Sequence, residues 1–469
     1  MPAKPSIPLS LWLLNGTLAV VVGLVAFRVW FGGSGLPEKE LQALRLVHQS
    51  VLEHHIDPHD GRKLLEEAID GLVHSLDPWS DFVPAAQAPQ FDEGNSGTYE
   101  GIGIQLLPRA VPPTIFYPIS GSPAERAGLE VGDRILAVDG KDMASKQGLE
   151  QLAEHVRGPR GTQVRLRIER DGAAPFEVAV ERAPVQQRSV QWARMLDPAA
   201  GVGYLHVSSF QHDTVKEFDA EIATLLPLGL RTLVIDLRQN GGGLLDESVL
   251  LANRFLTHGN IVTLKKRGGD VEARHDAKPQ ECRHEALPLV LLIDGSSASA
   301  SEVFAGALQD HGRARIVGER SYGKGFVQSI YRWKGADFRL KLTTAHYFTP
   351  KGRDINQRVR PTAHVRDANG LLHRAWERVN DVAEADRGGI TPEHPVALPR
   401  GTAPRIHAGL DAREIPAVRR ERAKALAARH RVDTLEPAAP ADDPQLQEAL
   451  AQARLLLGLD SRPATRAAK

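Results

Sequence analysis

The sequence of 469 residues is poor in cysteine and carries no excess charge of either sign. Its single cysteine, Cys282, excludes an internal disulfide, and no cluster of cysteine and histidine has the spacing of a zinc site. Basic and acidic residues are equal in number, 58 of each, so no global field attracts nucleic acid. Disulfide scaffolds, zinc modules and nucleic-acid-binding proteins are therefore not expected.

Long uncharged runs are rare, and the one of membrane-spanning length extends from Ile7 to Phe27. Its roughly 21 residues would form a helix of about 30 Å, which matches the hydrocarbon thickness of a bilayer. Trp12 lies near one end and Trp30 beyond the other, where aromatic rings favour the headgroup layer. We expect an uncleaved signal anchor, because no small-x-small motif follows the run; a cleaved signal peptide is the alternative.

This N-terminal placement predicts a single-pass protein of a bacterial-type inner (cytoplasmic) membrane, with its body on the periplasmic or extracytoplasmic side. Residues 1–36 would comprise the anchor and a glycine-rich tether. Residues 37–95 would form an N-terminal helical segment, with helices at Glu38–Glu53 and Arg62–Ser75. The overall composition, 42% hydrophobic and 25% charged, is typical of folded, soluble domains.

Three histidines close together, His54, His55 and His59, do not predict a metal site. Pro58 interrupts any helix that could align them, so we interpret them as surface residues. No metal ligand is assigned in the chain.

Residues 96–185 consist of short apolar segments separated by glycine-rich turns, which predicts a small β-rich domain. The run Gly101-Ile102-Gly103-Ile104 and the segments Pro123–Leu129 and Val131–Gly140 resemble a PDZ domain. In that family the glycine-rich loop presents backbone N–H groups to the C-terminal carboxylate of a peptide, which pairs with the next strand. The resemblance implies that Gly101, Ile102, Gly103 and Ile104 bind peptide C-termini. A glycine hairpin in an unrelated β-domain is the alternative.

Residues 186–370 alternate apolar runs of buried-strand length with segments of helical periodicity, which predicts an α/β core. The predicted strands are Val202–Val207, Thr232–Leu237, Leu289–Ile293 and Ala314–Val317. The predicted helices between them are Val215–Leu226, Glu247–Leu256 and Ser301–His311.

A turn rich in serine joins the strand Leu289–Ile293 to the following helix. A hydroxyl at a helix N-terminus lies where the dipole and free N–H groups stabilise developing negative charge, so one of these serines could be a nucleophile. A serine nucleophile needs a base, and the candidates are Lys324 and His311. The alternative is that Ser297 or Ser301 only caps the helix.

A phosphate-binding loop is a rival interpretation, because Gly318–Lys324 fits the spacing G-x-x-x-x-G-K. The next residue is Gly325 where Ser or Thr should contact magnesium, and Phe326–Tyr331 alternates like a strand instead of opening a helix. Nucleotide binding is therefore not expected.

The serine turn and the segment Gly318–Gln328 together resemble the active-site region of the carboxyl-terminal processing peptidases, also called tail-specific proteases. Further landmarks of that family occur in its order: Ser75–Ser80, Asp236–Gly243, Tyr347–Pro350, Gly388–Glu393 and Gln445–Leu450. The resemblance implies a crotonase/ClpP-like α/β protease core with an inserted PDZ domain. It places the catalytic Ser/Lys dyad on Ser299 and Lys324, the lysine-orienting glutamine on Gln328, and the oxyanion hole on the N–H groups of Ala300 and Gly242.

The resemblance implies a serine endopeptidase that cleaves proteins near their C-termini, after the PDZ domain has captured the tail. Such an enzyme needs no metal or organic cofactor, and its partners are substrates with free C-termini; homo-oligomer formation and a substrate-delivery adaptor stay open. Lys324 must be neutral to act as a base, so we expect its pKa to fall from about 10.4 to 7 or 8. The alternative function is an inactive, membrane-anchored PDZ scaffold.

Two features depart from the family pattern. Gly241 stands where the family has proline before its glycine pair, so the choice between Gly242 and Gly243 is open. An extra segment, Asp354–Arg387, is expected to lengthen a loop near the cleft. Residues 371–469 would close the core and end in a helical tail, with a basic, solvated helix at Ala417–His430 and an amphipathic helix at Gln445–Leu457.

Overall fold

A computed structural model of the chain describes residues 37–96, 98–108, 110–143, 145, 149–366, 372–379, 381–383, 387–411, 415, 417–430, 432 and 437–460. The chain divides into two compact units, Met1–Ser75 with Val365–His373, and Leu76–His364 with Arg374–Lys469. The expected anchor at Ile7–Phe27 and its tether lie outside the described residues. Among the residues that are described, none of the helices is both long and apolar enough to span a bilayer.

The first unit contains the two helices predicted for the N-terminal segment, α1 at Glu38–His54 and α2 at Gly61–His74. Asp60 caps the N-terminus of α2, because its carboxylate accepts hydrogen bonds from the N–H groups of Arg62 and Lys63. The ring of His48 lies 2.8 Å from the Gly61 carbonyl oxygen. This contact and the short connection hold α1 and α2 together as a helical hairpin.

The second unit begins with a short strand, β1 at Asp81–Val83, and helix α3 at Ala88–Ser96. A β-rich domain follows. Its elements are β2 (Thr98–Gly101), β3 (Ile104–Leu106), β4 (Ile115–Pro118), α4 (Pro123–Arg126), β5 (Arg134–Val138), β6 (Lys141–Asp142), α5 (Leu149–Val156), β7 (Gln163–Glu169), β8 (Phe176–Glu181) and β9 (Ala183–Gln186). The strands form two pairs, β2 with β9 and β3 with β4, and a sheet of order β6-β5-β7-β8. In β7, buried Val164, Leu166 and Ile168 alternate with exposed residues, which is the period of a strand with one solvated face.

The α/β core contains β10 (Val190–Asp197), β11 (Val202–Val207), α6 (Thr214–Leu225), β12 (Thr232–Asp236), α7 (Leu245–Asn253), β13 (Asn260–Lys266), β14 (Val271–Asp276), β15 (Leu289–Ile293), α8 (Ala300–Asp310), β16 (Ala314–Gly318), β17 (Phe326–Tyr331) and β18 (Arg339–Phe348). Its main sheet has the order β10-β11-β12-β15-β16 and ends on β21 (His394–Pro395). Strands β11, β12, β15 and β16, which are neighbours in this sheet, run parallel to one another. These match the predicted strands within one residue at each end.

Helices cover both faces of this sheet, which explains why its strands are continuously apolar. Leu233 and Ile235 of β12 pack on the side of α6, α7 and α8, whereas Val234 packs on the opposite side with Leu446 and Ala449. Those two residues belong to α11 (Pro444–Leu456). The C-terminal helix predicted at Gln445–Leu457 thus closes the core.

A second sheet has the order β1-β18-β13-β14, with β17 also paired to β18. Strand β17 confirms that Phe326–Tyr331 is a strand, as the argument against a phosphate-binding loop requires. The long strand β18 pairs with both β17 and β13, and it therefore joins β17 to the β13–β14 hairpin in one sheet.

The C-terminal region adds β19 (Val359–Arg366) paired with β20 (Leu372–Arg378), and helices α9 (Ala403–Asp411) and α10 (Arg420–Arg429). The prediction that the basic helix is a solvated appendage is wrong. Ala423 and Ala427 of α10 are completely buried in a cluster with Phe116 and Tyr117 of the β-rich domain. Alanines four residues apart give the helix a flat apolar stripe, which the basic composition of the remaining positions conceals in the sequence.

Candidate active site

Ser299 lies at the turn between β15 and α8, where it forms the N-cap of the helix. Its backbone has φ 56° and ψ −116°, a conformation that L-residues rarely adopt. The residue is half-buried, so the turn directs it toward the surface instead of into the core. This strained strand-to-helix turn is a geometry in which a nucleophile is exposed at a helix N-terminus.

The neighbouring serines have structural roles. The hydroxyl of Ser297 donates to the carbonyl oxygen of Leu237 at 2.8 Å, and that of Ser301 donates to the carbonyl oxygen of Asn240 at 2.9 Å. Both residues are buried. The alternative that Ser297 or Ser301 caps the helix is therefore wrong, because Ser299 occupies the cap.

Lys324 lies in the loop between β16 and β17 and is half-buried. Burial, assisted by the positive charge of Lys341, lowers the pKa of Lys324 from 10.5 to about 8. The negative charges of Glu302 and Asp77 oppose this shift. Within the described part of the chain the Lys324 ammonium group makes no ion pair and no hydrogen bond, so an amine with this pKa is available as a base near neutral pH.

Glu302 joins the serine turn to the lysine loop. One of its carboxylate oxygens, Oε2, accepts hydrogen bonds from the N–H groups of both Ser299 and Lys324, each at 2.8 Å. The other oxygen accepts from the Gly323 N–H at 2.7 Å and from the Ser321 hydroxyl at 2.5 Å. Burial raises the pKa of Glu302, and these hydrogen bonds oppose the rise. Because the backbone nitrogens of Ser299 and Lys324 donate to the same oxygen, they lie no more than about two hydrogen-bond lengths apart.

Tyr347 makes the matching connection on the carbonyl side. Its hydroxyl contacts the carbonyl oxygens of both Ser299, at 2.8 Å, and Lys324. The side chain belongs to β18 and is buried, and burial raises its pKa well above the ordinary value for tyrosine. The hydroxyl therefore stays protonated across the whole physiological pH range, and its single proton is shared between the two carbonyl oxygens.

The other candidate base, His311, is not close to Ser299. It lies just beyond the C-terminal end of α8, the helix whose N-terminus Ser299 caps, and its Nε2 is 2.7 Å from the Asn260 carbonyl oxygen. Eleven helical residues separate the two, which corresponds to about 16 Å along the axis. The structure thus brings the backbone of Ser299 close to that of Lys324 and not to His311.

Gln328, the predicted lysine-orienting residue, lies on β17. Its amide donates to Thr343 Oγ1 at 3.4 Å, and within the described residues it makes no hydrogen bond to Lys324. Thr343 Oγ1 in turn donates to Asp77 Oδ1 at 3.2 Å, and Ser80 Oγ donates to Asp77 Oδ2 at 2.8 Å. The segment Ser75–Ser80, noted in the sequence only as a landmark, thus supplies a carboxylate beside β18.

The predicted oxyanion donors lie side by side. A Cβ atom added to Gly242 would be 2.8 Å from Ser299 Cβ and 3.0 Å from the Ala300 nitrogen, so this position tolerates only glycine. The N–H of Gly242 donates to Asn240 Oδ1 at 2.9 Å. By contrast, the N–H groups of Ala300 and Gly243 have no acceptor among the described residues.

The loop Gly101–Ile104 joins β2 to β3. Its carbonyl groups are bound: Ile102 O accepts from the Ala124 N–H at 2.8 Å, and Gly103 O accepts from the Ile119 N–H at 2.9 Å. The N–H groups of Ile102 and Gly103 donate no hydrogen bond in the described part of the chain. Among the described strands β3 pairs only with β4, so its second edge is also available to a further strand.

Comparisons with known proteins agree with this geometry. Residues 201–365 match Peptidase family S41, and residues 115–170 match the PDZ domain family. A Bartonella bacilliformis protein named carboxy-terminal-processing protease is 37% identical over 322 residues, which cover 68% of this chain and 73% of that protein. The chain belongs to peptidase family S41.

A second relative of this S41 peptidase is the "Probable CtpA-like serine protease" of Staphylococcus aureus. It is 33% identical over 352 residues, 75% of this chain and 70% of that protein. Among solved structures, the photosystem II D1 C-terminal processing protease aligns with 26% identity and a TM-score of 0.42, covering 74% of this chain and 85% of that one.

Membership makes the chain a serine-type peptidase with a PDZ domain. The S41 match includes Ser299 and Lys324, whereas the PDZ match begins after the loop Gly101–Ile104. The roles of these residues stay predictions.

Sequence reasoning missed the two residues that hold the S41 site together. Glu302 was given no role in the site from the sequence, and Tyr347 was noted only as part of a family landmark. A signal for Glu302 exists, because an acidic residue three positions after an N-cap serine fits a capping box. Nothing in the local sequence of Tyr347 indicates its contact with Ser299, which is 48 positions away.

Proposed function

We propose that the protein is a serine endopeptidase that cleaves proteins near their C-termini, with Ser299 as nucleophile and Lys324 as general base. The observation that carries the proposal is that Glu302 Oε2 accepts hydrogen bonds from the N–H groups of both residues. The names of the two relatives, a carboxy-terminal-processing protease and a CtpA-like serine protease, support the same reaction.

In the proposed mechanism the neutral Lys324 amine takes the proton from Ser299 Oγ as that oxygen attacks the scissile carbonyl carbon. The oxyanion that forms accepts hydrogen bonds from Ala300 N–H and from a glycine N–H of the turn Gly241–Gly243. The Lys324 ammonium then protonates the leaving amine, which yields an acyl-enzyme. Water, deprotonated by Lys324, releases the second product and restores Ser299.

The proposed donor at the glycine turn is Gly242. Its N–H would exchange the Asn240 oxygen for the oxyanion, so Asn240 would hold the donor in place while the site is empty. Gly243 is the alternative donor, because its N–H has no acceptor within the described residues. Replacing Asn240 by Asp separates the two, since a carboxylate would compete with the oxyanion for the Gly242 N–H only.

We also propose that the PDZ domain captures the substrate's tail. The free N–H groups of Ile102 and Gly103 suit a C-terminal carboxylate, and the free edge of β3 suits the preceding residues as an added strand. Tethering would raise the local concentration of the cleavage site at Ser299 to the order of millimolar.

The location of the protein is part of the proposal. The uncharged run Ile7–Phe27 would anchor the chain in a bacterial inner membrane, with the peptidase on the periplasmic side. The core would belong to the crotonase/ClpP-like class, which the parallel strands β11, β12, β15 and β16 and their covering helices support.

Replacing Ser299 or Lys324 by alanine tests the dyad. Each change should lower kcat/KM for a peptide with a free C-terminus by about a thousandfold or more, because the two residues act as one unit. Ser296→Ala is the matched control, since Ser296 is an exposed serine of the same turn and should keep full activity. Turnover that survives in Ser299→Ala would contradict the assignment, and an inactive native chain that still binds peptides would favour the scaffold.

A further inference from the structure

An open groove of about 520 Å³ lies between the β13–β14 turn and strand β18. One wall is the turn segment Lys265–Gly269, and the other is the strand segment Thr343–His346. We call this cavity the basic groove, because its lining includes three consecutive cationic residues, Lys265, Lys266 and Arg267.

The lining of the basic groove carries three cationic side chains and one carboxylate, Asp354, so positive charge is in excess there. Lys266 and Arg267 are exposed, and neither forms an ion pair within the described residues. Lys265 Nζ lies 4.3 Å from the centroid of the Phe348 ring, which attracts a cation but carries no net charge. The acidic residue of the lining, Asp354, accepts hydrogen bonds from the Asn356 N–H at 2.9 Å and from Asn356 Nδ2 at 2.7 Å.

The basic groove is adjacent to the proposed catalytic segment. Its residue Thr343 accepts the hydrogen bond from Gln328, and the ring of its residue His346 packs at 4.6 Å from that of Phe326. Phe326 is two positions after Lys324. A peptide bound at the dyad in an extended form advances about 3.3 Å per residue, so its side chains extend beyond the dyad on both sides of the scissile bond.

The groove also interrupts the pairing of β18. On the side opposite β17, this strand pairs with β1 through Arg339–Lys341 and with β13 from Ala345 onward. Between these two ladders, Leu342 and Thr343 pair with β17, and the Thr343 N–H donates to Ser80 Oγ at 3.1 Å.

We infer that the basic groove is a substrate subsite that takes the carboxylate side chain of a glutamate or aspartate near the scissile bond. The inference rests on the proposed peptidase function, whose dyad it adjoins. Three cations beside an open cavity favour an anion, and the peptide substrate of this site supplies anions as acidic side chains. The subsite would add a charge preference to the C-terminal capture that the PDZ domain provides.

Binding tests the inference without turnover. The full chain carrying Ser299→Ala is titrated with two fluorescein-labelled peptides that have the same C-terminus and differ in three glutamates replaced by glutamine. The glutamate peptide should bind about five- to tenfold more tightly at low salt, and the difference should vanish near 0.5 M salt, because exposed charges are screened within a few ångströms there.

Removing the cations identifies the groove. Lys266→Gln with Arg267→Gln should abolish the preference for the glutamate peptide and leave the affinity for the glutamine peptide unchanged. The control pair Arg231→Gln with Lys278→Gln removes the same charge from exposed positions elsewhere and should keep the preference. Equal binding of the two peptides by the parent chain, or an unchanged preference in the groove variant, would overturn the inference.

Cleavage by the chain with Ser299 intact separates this inference from the proposed function. If both peptides are cleaved with equal kcat/KM and bind equally, the subsite is wrong and the peptidase assignment stands. If the glutamate peptide binds more tightly through Lys266 and Arg267 but neither peptide is cleaved, the groove binds acidic peptides and the proposed function is wrong.

Discussion

Ser299 has a backbone conformation that costs about 1–3 kcal/mol for a residue with a side chain, so its neighbours must hold it. The Glu302 carboxylate holds its N–H and the Tyr347 hydroxyl holds its carbonyl group. The same two side chains hold the backbone of Lys324. At the scale of single residues, the site is therefore built on a shared pair of contacts that fixes serine and lysine relative to each other.

The pKa of Lys324 predicts how the activity depends on pH. With a pKa of about 8, the amine is mostly protonated at pH 7 and mostly neutral at pH 9, so kcat/KM should rise with pH and level off above about 9. A pH series with an uncharged peptide measures the midpoint. In Lys341→Met the midpoint should move to higher pH, because Lys341 lowers the pKa of Lys324. A midpoint near pH 6.5 that does not move in Lys341→Met would instead indicate that a histidine is the base.

Glu302→Gln should loosen the dyad. The amide offers one acceptor oxygen where four donors converge, so stability should fall by about 1–3 kcal/mol and kcat by about a hundredfold. The loss of the negative charge should also lower the pKa of Lys324, because Glu302 raises it, and the activity midpoint should move below pH 8. Glu319→Gln, in the same loop, is the control and should change neither quantity. A purely structural role would leave the midpoint in place.

At the scale of elements, the loop between β2 and β3 depends on the glycine at position 103. Gly103 has φ +76°, and a Cβ atom there would lie 2.4 Å from Ser122 Cβ. Gly121 has nearly the same φ, +73°, but nothing lies within 4 Å of its added Cβ. Both positions require the left-handed region, so only the overlap with Ser122 distinguishes them.

Gly103→Ala should therefore weaken tail capture more than Gly121→Ala. For the native chain we expect an amidated peptide to be cleaved about tenfold more slowly than the same peptide with a free C-terminus, because charge-assisted hydrogen bonds to the carboxylate are lost. The ratio of the cleavage rate of the free peptide to that of the amidated peptide should approach one in Gly103→Ala and stay near ten in Gly121→Ala. The melting temperatures of both variants are checked. A ratio of one in the native chain would mean that the PDZ loop does not select substrates.

At the scale of the whole molecule, the C-terminal helix α11 is joined to the main sheet by a buried ionic cluster. Arg238 Nη2 lies 2.7 Å from Asp236 Oδ2 and 2.8 Å from Asp443 Oδ2, and all three side chains are buried. Burial alone would raise the pKa of Asp236, but the Arg238 charge and hydrogen bonds hold it below its ordinary value. Asp443 also caps α11 through the N–H groups of Gln445 and Leu446.

Asp443→Asn should lower the free energy of unfolding by about 3–5 kcal/mol, because it leaves a buried guanidinium with one carboxylate fewer while the helix cap is kept. Denaturant unfolding of the full chain measures the change. Asp442→Asn removes an exposed charge one position earlier and should change stability by less than about 0.5 kcal/mol. Equal effects of the two substitutions would show that the cluster does not hold α11.

The sequence by itself determined the elements of this S41 peptidase and the position of its serine turn. The buried strands β11, β12, β15 and β16 are readable because helices cover both of their faces and make them continuously apolar. Periodicity reports that a face is buried but not what buries it, which is why α10 was expected to be solvated.

Only the tertiary structure decided which side chains converge. It gave Ser297 and Ser301 structural hydrogen bonds, unlike Ser299, and it placed His311 at the far end of α8. It also brought Asp77, Glu302 and Tyr347 close to the loop and strands around Lys324. These contacts join residues from 22 to 266 positions apart, whereas local sequence preferences act over one or two helical turns. The chemistry of a side chain is written in the sequence, but its environment, and with it the lowered pKa of Lys324, arises when distant segments exclude water together.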